Sequence, residues 1–309
     1  MFTIKSKTRA LTLVFVLTTL GAARECRGAE DSQKKQATSD ALAVAQFTNG
    51  RFQVIYLNGR VQEFENRAYF FGASRFSADG QAIVGILDRD LVVLNQSFEI
   101  LWKVRPRHLN IWNMALSPSK TQVAFIGMAG GSRFSLGLIK SSGEELTLAT
   151  FDRRDGDDSM GLSWSPDGDR LVYGSEGRVK IINVSTMVSE TLSDGFEPTW
   201  STNGKWITYR RVDGRPEVYD VSTRQRSLVA RGHRIASKVH WAPDSEYVMV
   251  VEGCGEKPTL WCLVRTRFVV YGLVDGSKRK IFSPGWLRDW YFDWITDPAK
   301  WVSGMKPLP

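Results

Sequence analysis

Short apolar runs rich in Val, Ile, Leu, Phe and Tyr alternate with turn residues along the chain from Ala41 onward, at intervals of about eight to twelve positions. Antiparallel strands produce this pattern, because the turns that connect them are enriched in Gly, Pro, Asn and Asp. No segment shows the 3.6-residue periodicity of a helix of about ten or more residues. The pattern therefore predicts an all-β protein.

One turn recurs along the chain and defines a repeat. Its clearest copy is "WSPDG", and copies begin at Phe76, Leu116, Trp164, Trp200, Trp241 and, in degenerate form, Trp294. The copies lie about 36 to 53 residues apart, which is the spacing of blades in a β-propeller. A later hairpin also occurs six times, from "VIYLNGRVQEF" to "VVYGLVDGSKRKI". The two markers predict a six-bladed β-propeller, with seven blades as the alternative.

The order of these two markers predicts how the ring closes. The sequence starts with the later hairpin and finishes with a copy of the "WSPDG" strand. The strand in "LRDWYFDWI" is therefore expected to become the inner strand of the blade that residues 41–65 begin. Closure of this kind removes two exposed sheet edges.

The recurring turn has a structural explanation. Pro166 fixes φ, Gly168 permits a positive φ and Asp167 can bond the local backbone. The aromatic Trp164 is expected to fill space between blades. The acids Asp79, Asp167 and Asp244 fall on separate blades, so we expect them to form turns and not to share one metal or catalytic site.

The "WSPDG" turn and the strand "RLVYG" after it resemble the TolB-type, WD40-like propeller repeat. The resemblance covers residues 41–302 and implies the propeller fold, which is common in exported proteins. The segment before Ala41 is shorter than the α/β domain that precedes the propeller in TolB, and no α/β-hydrolase domain follows. The resemblance therefore implies an architecture and does not transfer a specific role.

The N-terminus predicts export. The basic "MFTIKSKTR" is followed by the apolar "ALTLVFVLTTLGAA", which ends in small residues. This predicts a signal peptide over residues 1–23, with an uncleaved anchor as the alternative. Residues 24–40 are polar and predict a flexible leader, residues 41–302 the propeller, and residues 303–309 a tail. A periplasmic or extracellular location follows.

The charge pattern narrows the class of partner. Cleavage after residue 23 lowers the formal net charge from +8 to +5, because three basic residues are removed. The remaining charge is diffuse, without a basic cluster interleaved with aromatics, so nucleic acid is not expected. No later apolar run has the length of a membrane span. The mature chain is expected to be a monomer.

The three cysteines allow one predicted bridge. Cys254 and Cys262 flank a short loop in "GCGEKPTLWC", and a disulfide across a hairpin is predicted, with two unrelated thiols as the alternative. The residues before Cys26 lack the small-residue pattern of a lipidated cysteine. No histidine stands near these thiols to complete a tetrahedral metal site.

Motifs of catalysis are missing from the sequence. There is no G-x-S-x-G, no H-E-x-x-H and no glycine-rich phosphate loop. Of three histidines, His240 lies in an inner-strand run and is expected to be packed in the structure. We expect no cofactor. The one weak candidate for a calcium site is the acidic stretch with Asp152, Asp155, Asp157 and Asp158. Its spacing differs from that of an EF-hand loop and favours a solvated loop.

The candidate binding residues lie in the loops that lead into the inner strands, which we call the leading loops. These loops differ from copy to copy, while the turns are alike. They combine aromatics, arginines and acids, the composition of a recognition rim. The predicted rim residues are Arg107, His108, Trp112, Asp157, Asp158, Glu197, His233, Arg234, Trp286, Arg288 and Trp290. The alternative is that the tryptophans only plug the channel.

These features predict a non-enzymatic exported propeller that binds an envelope or extracellular protein or peptide at the mouth of its channel. One alternative is a propeller enzyme that acts on glycans or peptides, which would need rim carboxylates converging about 5–10 Å apart. A second alternative is a propeller that binds a small molecule or has only a structural role.

Overall fold

The computed structural model describes residues 42–48, 51–56, 58, 60–65, 74–107, 110–131, 133–152, 160–229, 239–252, 267–272, 278–282, 292–303 and 305. These residues form strands and one short helix, α1 (Pro298–Trp301). The strands are β1 Leu42–Thr48, β2 Arg51–Tyr56, β3 Val61–Glu65, β4 Arg75–Phe76, β5 Ala82–Leu87, β6 Asp90–Asn95, β7 Ile100–Val104, β8 Ile111–Leu116, β9 Gln122–Gly130, β10 Arg133–Lys140, β11 Glu145–Asp152, β12 Leu162–Trp164, β13 Arg170–Ser175, β14 Arg178–Asn183, β15 Ser189–Asp194, β16 Phe196–Trp200, β17 Trp206–Arg210, β18 Pro216–Asp220, β19 Arg226–Leu228, β20 His240–Trp241, β21 Tyr247–Glu252, β22 Arg267–Gly272, β23 Lys278–Phe282 and β24 Phe292–Thr296.

The strands form six antiparallel four-stranded sheets, the blades of a six-bladed β-propeller. From the inner to the outer strand, blade 1 is β24-β1-β2-β3, and blades 2 to 6 are β4–β7, β8–β11, β12–β15, β16–β19 and β20–β23. The predicted all-β class and the count of six are confirmed, so the seven-bladed alternative is wrong.

Blade 1 closes the ring in the predicted way. Strand β24 pairs antiparallel with β1, with Trp294 opposite Val44 and Thr296 opposite Leu42. Residues from the two ends of the described chain thus share one sheet, and neither strand is left with an unpaired edge at this junction.

The aromatic residues Trp164 and Trp294, at two copies of the turn, pack between blades. Trp164 is buried, and its Nε1 donates to the Ala115 carbonyl on the preceding inner strand at 2.9 Å. Trp294 is also buried and donates in the same way to the His240 carbonyl at 3.0 Å. A buried indole needs such an acceptor. The predicted role of Trp164 as a wedge between blades is confirmed.

The acids of the repeat form turns, as predicted. Asp167 Oδ1 accepts from the Asp169 N–H at 3.0 Å and from the Ser165 hydroxyl, and Gly168 has φ 79°. Partial burial alone would raise the pKa of Asp167, but these hydrogen bonds and the nearby Arg170 outweigh burial and lower the pKa. The equivalent acids Asp79 and Asp244 accept from Gln81 N and Glu246 N.

The helix α1 continues the closing strand onto blade 2. Trp301 is fully buried among Phe52, Phe76 and Phe98, with ring centroids 5.3 to 6.3 Å from its own. Its Nε1 donates to the Gly80 carbonyl at 3.1 Å. Among the described residues, no helix has the length and apolar character needed to cross a membrane.

Candidate functional site

The inner strands of all six blades surround a cavity of about 410 Å³. It lies where these strands end, because the turns that follow them also line it. Successive side chains of a strand point to opposite sides. In each copy of the recurring turn, the large residue at the end of the inner strand, such as Trp164, points between blades. The residue before it therefore faces the channel. These six residues, which we call the channel ring, all line the cavity: Asp293, Arg75, Ala115, Ser163, Thr199 and His240, from blade 1 to blade 6.

One half of the channel ring carries ionisable side chains, and we call it the charged half. His240 is only 2% exposed, and its Nδ1 lies 3.1 Å from Asp293 Oδ1 on the neighbouring blade. The same oxygen accepts from the Trp294 N–H at 3.0 Å. When Asp293 is ionised its carboxylate can only accept, so in that state the imidazole donates from Nδ1.

Arg75, from blade 2, completes the charged half. Its Nε donates to Asn113 Oδ1 at 3.2 Å, and its Nη1 donates to the Ser74 carbonyl at 2.8 Å. Asn113 in turn donates through Nδ2 to the Met160 carbonyl, which precedes β12, at 2.5 Å. The guanidinium therefore has a fixed position, held by a chain of hydrogen bonds across blades 2, 3 and 4.

The other half of the ring, the neutral half, has Ala115, Ser163 and Thr199 on blades 3 to 5. Ser163 Oγ accepts from the Trp200 N–H at 3.1 Å. The Thr199 hydroxyl oxygen is buried and has no hydrogen-bond partner among the described residues. A buried hydroxyl without a partner costs free energy.

The rim of the cavity is built from the recurring turns. Lys120 Nζ of blade 3 lies 2.9 Å from Asp79 Oδ2 of blade 2. On the opposite side, Thr202 Oγ1 of blade 5 lies 2.5 Å from Ser245 Oγ of blade 6 and 2.8 Å from the Pro243 carbonyl. These contacts join neighbouring turns and fix the shape of the mouth.

Three residues of the predicted rim are described, and none lines this cavity: Arg107, Trp112 and Glu197. They lie at or just before the start of inner strands, at the other end of the channel. The Trp112 side chain is 42% exposed and meets Phe134 edge to face at 5.5 Å. Glu197 Oε2 lies 3.0 Å from Arg210 Nε, and Arg107 is exposed.

The remaining predicted residues lie outside the described part of the chain. They are His108, Asp157, Asp158, His233, Arg234, Trp286, Arg288 and Trp290 of the rim, Cys254 and Cys262 of the predicted disulfide, and Asp155 of the calcium candidate. Asp152 of that candidate is described: it is exposed, with Oδ1 3.6 Å from Arg133 Nε.

Sequence reasoning missed the channel ring. His240 is packed, as expected, but its exposure to the cavity and its pairing with Asp293 were not foreseen. Arg75, Thr199 and Asp293 were not considered at all. The sequence does contain a signal for these three residues. Each directly precedes the aromatic of a recurring turn (Phe76, Trp200 and Trp294), and because side chains alternate along a strand, each should face away from the space between blades.

Two of the solved structures with a similar fold are TolB proteins from bacteria. A TolB candidate from Agrobacterium tumefaciens superposes with TM-score 0.56 at 15% identity, covering 78% of this chain and 88% of its own. TolB from Acinetobacter baumannii superposes with TM-score 0.50 at 14% identity, covering 87% of this chain and 80% of its own. No protein-family model and no curated protein matches the sequence.

The class of the protein follows from these observations. It is a six-bladed β-propeller with a cavity at the end of its channel. More particularly, its fold is TolB-like, at an identity that establishes the fold and leaves the activity to be argued from the site.

Proposed function

We propose that this protein is an exported, non-enzymatic scaffold that binds a peptide segment of an envelope or extracellular protein in its channel. The observation that supports this most is the cavity of about 410 Å³ formed by all six inner strands. That volume suits a few side chains or a small ligand and is far too small for a folded domain. A protein partner would therefore insert an extended segment, with its body resting on the propeller face.

The two acids of the cavity favour binding over catalysis. Asp79 is matched by Lys120, and Asp293 is hydrogen-bonded to His240. A carboxylate-dependent hydrolase needs one carboxyl group that carries a proton and a second that stays ionised. Both of these acids are already engaged by a basic side chain, so the described lining offers no pair of carboxyl groups arranged for that division of roles.

The N-terminal pattern of residues 1–23 supports export, which would place the protein in the periplasm or outside the cell. The rim formed by the leading loops is proposed to contact the same partner. Among its described members, Trp112 offers an exposed aromatic surface at the end of the channel away from the cavity. The partner's body would rest at this end, and its inserted segment would run along the channel to the cavity.

Site-specific photo-crosslinking in the host that produces the protein tests this function. A photoreactive phenylalanine analogue replaces Trp112 in the full chain, and in a matched variant it replaces Leu101, which is 48% exposed on the outer strand β7. We expect one envelope protein to be crosslinked from position 112 and not from position 101. Equal capture of many proteins from both positions would contradict the proposal.

A further inference from the structure

We propose that residues 306–309, the sequence "KPLP" after Met305, pack along the outer strand β7 of blade 2, where the side chain of Leu308 covers Ile100 and Leu101. These four residues lie outside the described part of the chain. The contact does not depend on the proposed function, because the chain itself covers this surface. It would extend the junction of blades 1 and 2 beyond α1.

Ile100 and Leu101 form an exposed apolar patch on β7, which we call the edge patch. Both are large aliphatic residues, yet they are 56% and 48% exposed. Among the described strands, β7 pairs with β6 alone, so its other side is a sheet edge. Exposed apolar side chains at such an edge favour contact with a further segment.

The edge of β7 is poorly suited to pair with another β-strand. Its register with β6 shifts between Val93 and Leu94, which leaves Leu101 as an extra residue. A bulge of this kind interrupts the regular row of N–H and C=O groups. The strand has only five residues and offers far less surface than the roughly 1,000 Å² that a specific dimer needs. A short segment that packs through its side chains therefore fits the edge patch better than a second copy does.

Met305, the last described residue, lies in the apolar cluster that borders the edge patch. It is only 8% exposed and shares this cluster with Leu94, while Phe98 packs against the cluster. Leu94 is paired with Ile100, and residues directly opposite each other project from the same face of a sheet. The segment after Met305 thus starts on the face of blade 2 to which Ile100 belongs.

The sequence of the tail suits this surface. Pro307 and Pro309 have no N–H, and each favours an extended conformation in the residue before it. The tail can therefore run along an edge without a β-ladder, with Leu308 as its one large apolar side chain. Three extended residues span roughly 10 Å, and neighbouring strands lie about 4.8 Å apart. Leu308 can thus reach β7 from the position of Met305.

The charges beside the edge patch favour one direction of the tail. Glu99 directly precedes the patch and is exposed, and its carboxylate accepts from Asn95 Nδ2 at 2.8 Å. Lys306 precedes Leu308 by two residues, as Glu99 precedes Leu101. A tail that runs parallel to β7 therefore places Lys306 beside Glu99 and Leu308 beside Leu101, and the opposite charges attract each other.

Substitutions in the full chain test this contact. Ile100→Ala and Leu308→Ala should each raise the equilibrium constant for unfolding about threefold, because each removes part of one apolar contact. The double variant should also raise it about threefold, since either substitution alone already removes the contact, whereas independent sites would give about ninefold. Urea denaturation followed by circular dichroism measures the three constants.

Val188→Ala is the matched control. Val188 is 69% exposed in the turn before β15 of blade 4, and blade 4 lies across the ring from blade 1. Leu308, three residues after Met305, cannot span that distance. The effects of Val188→Ala and Leu308→Ala on the unfolding constant should therefore multiply.

A structural measurement distinguishes the tail from other occupants of the edge patch. In the full chain with isotope-labelled methyl groups, we expect a nuclear Overhauser effect between the methyl groups of Leu308 and Leu101. The absence of this signal, or multiplicative effects of Ile100→Ala and Leu308→Ala, would overturn the inference. A dimer in sedimentation equilibrium that Ile100→Asp converts to a monomer would also overturn it, because a second copy would then cover the edge patch.

Discussion

The two halves of the channel ring differ in how the chain holds them. Beside the charged half, at the junction of blades 1 and 2, contacts join residues about 200 positions apart: Gln96 Nε2 donates to the Thr296 carbonyl at 2.9 Å, and Thr296 Oγ1 donates to the Asp79 carbonyl at 3.1 Å. In the neutral half, contacts join consecutive blades, as between Trp200 N and Ser163 Oγ, 37 residues apart. Asp293 of blade 1 and Arg75 of blade 2 therefore become neighbours in the ring only through its closure, and stability and binding should be coupled there.

The largest effect on stability is expected at the closing seam, the junction of blades 1 and 2 where α1 packs. Trp301→Ala removes a fully buried indole that contacts Phe52, Phe76 and Phe98 and donates to the Gly80 carbonyl. We expect the free energy of unfolding to fall by about 3–5 kcal/mol, the range for large-to-small changes of buried aromatics. Urea denaturation followed by circular dichroism measures the change.

A matched control for Trp301→Ala is Trp112→Ala. Trp112 is 42% exposed and meets Phe134 edge to face, so its loss should cost much less than that of the fully buried Trp301, about 1 kcal/mol. If the two variants lose similar stability, the packing of α1 does not stabilise the junction of blades 1 and 2. The charged half would then depend on ring closure no more than the neutral half does.

The second effect concerns blade 5, next to the neutral half. Burial raises the pKa of Tyr209, and the hydrogen bond that its hydroxyl donates to Glu217 raises the pKa further, to about 12. An unfolded tyrosine loses its proton near pH 10. The unfolded state is thus deprotonated before the folded state, and the free energy of unfolding should fall as the pH rises from about 10 to about 12.

Tyr209→Phe tests this directly. At pH 7 the variant should lose about 1–3 kcal/mol, because Glu217 keeps only Arg211 Nη1, at 3.2 Å, of its two side-chain partners. Between about pH 10 and 12, its stability should decline less steeply than that of the unsubstituted protein. Parallel curves over this range would show that Tyr209 is ionised equally in both states.

The sequence predicted the fold far better than it predicted the site, for a physical reason. Strand alternation and the repeated turn are local, so they gave the blade count and the closure by β24. His240 and Asp293 lie 53 residues apart on the inner strands of successive blades, and Asp293 and Arg75 are brought next to each other only by closure of the ring. The alternation that placed Trp294 between blades also placed Asp293 in the channel, but single residues before an aromatic carry no motif of their own.

A smaller effect distinguishes two hydroxyls of the neutral half. Ser163→Ala leaves the Trp200 N–H without its acceptor, so the free energy of unfolding should fall by about 1 kcal/mol. Thr199→Val replaces a hydroxyl without a described partner by a methyl group of similar shape, so stability should be unchanged or up to about 1 kcal/mol higher. Thermal unfolding of both variants checks the order; a loss for Thr199→Val would show that its hydroxyl is bonded in solution.

The smallest effect is expected at the ion pair on the rim of the charged half. Lys120 and Asp79 are 27% and 44% exposed in their side chains and lie 2.9 Å apart. Solvent screens such a pair, so Lys120→Gln should cost no more than about 0.5 kcal/mol, and 1 M salt should reduce this difference. A salt-independent loss above about 1 kcal/mol would mean that the cavity mouth excludes water.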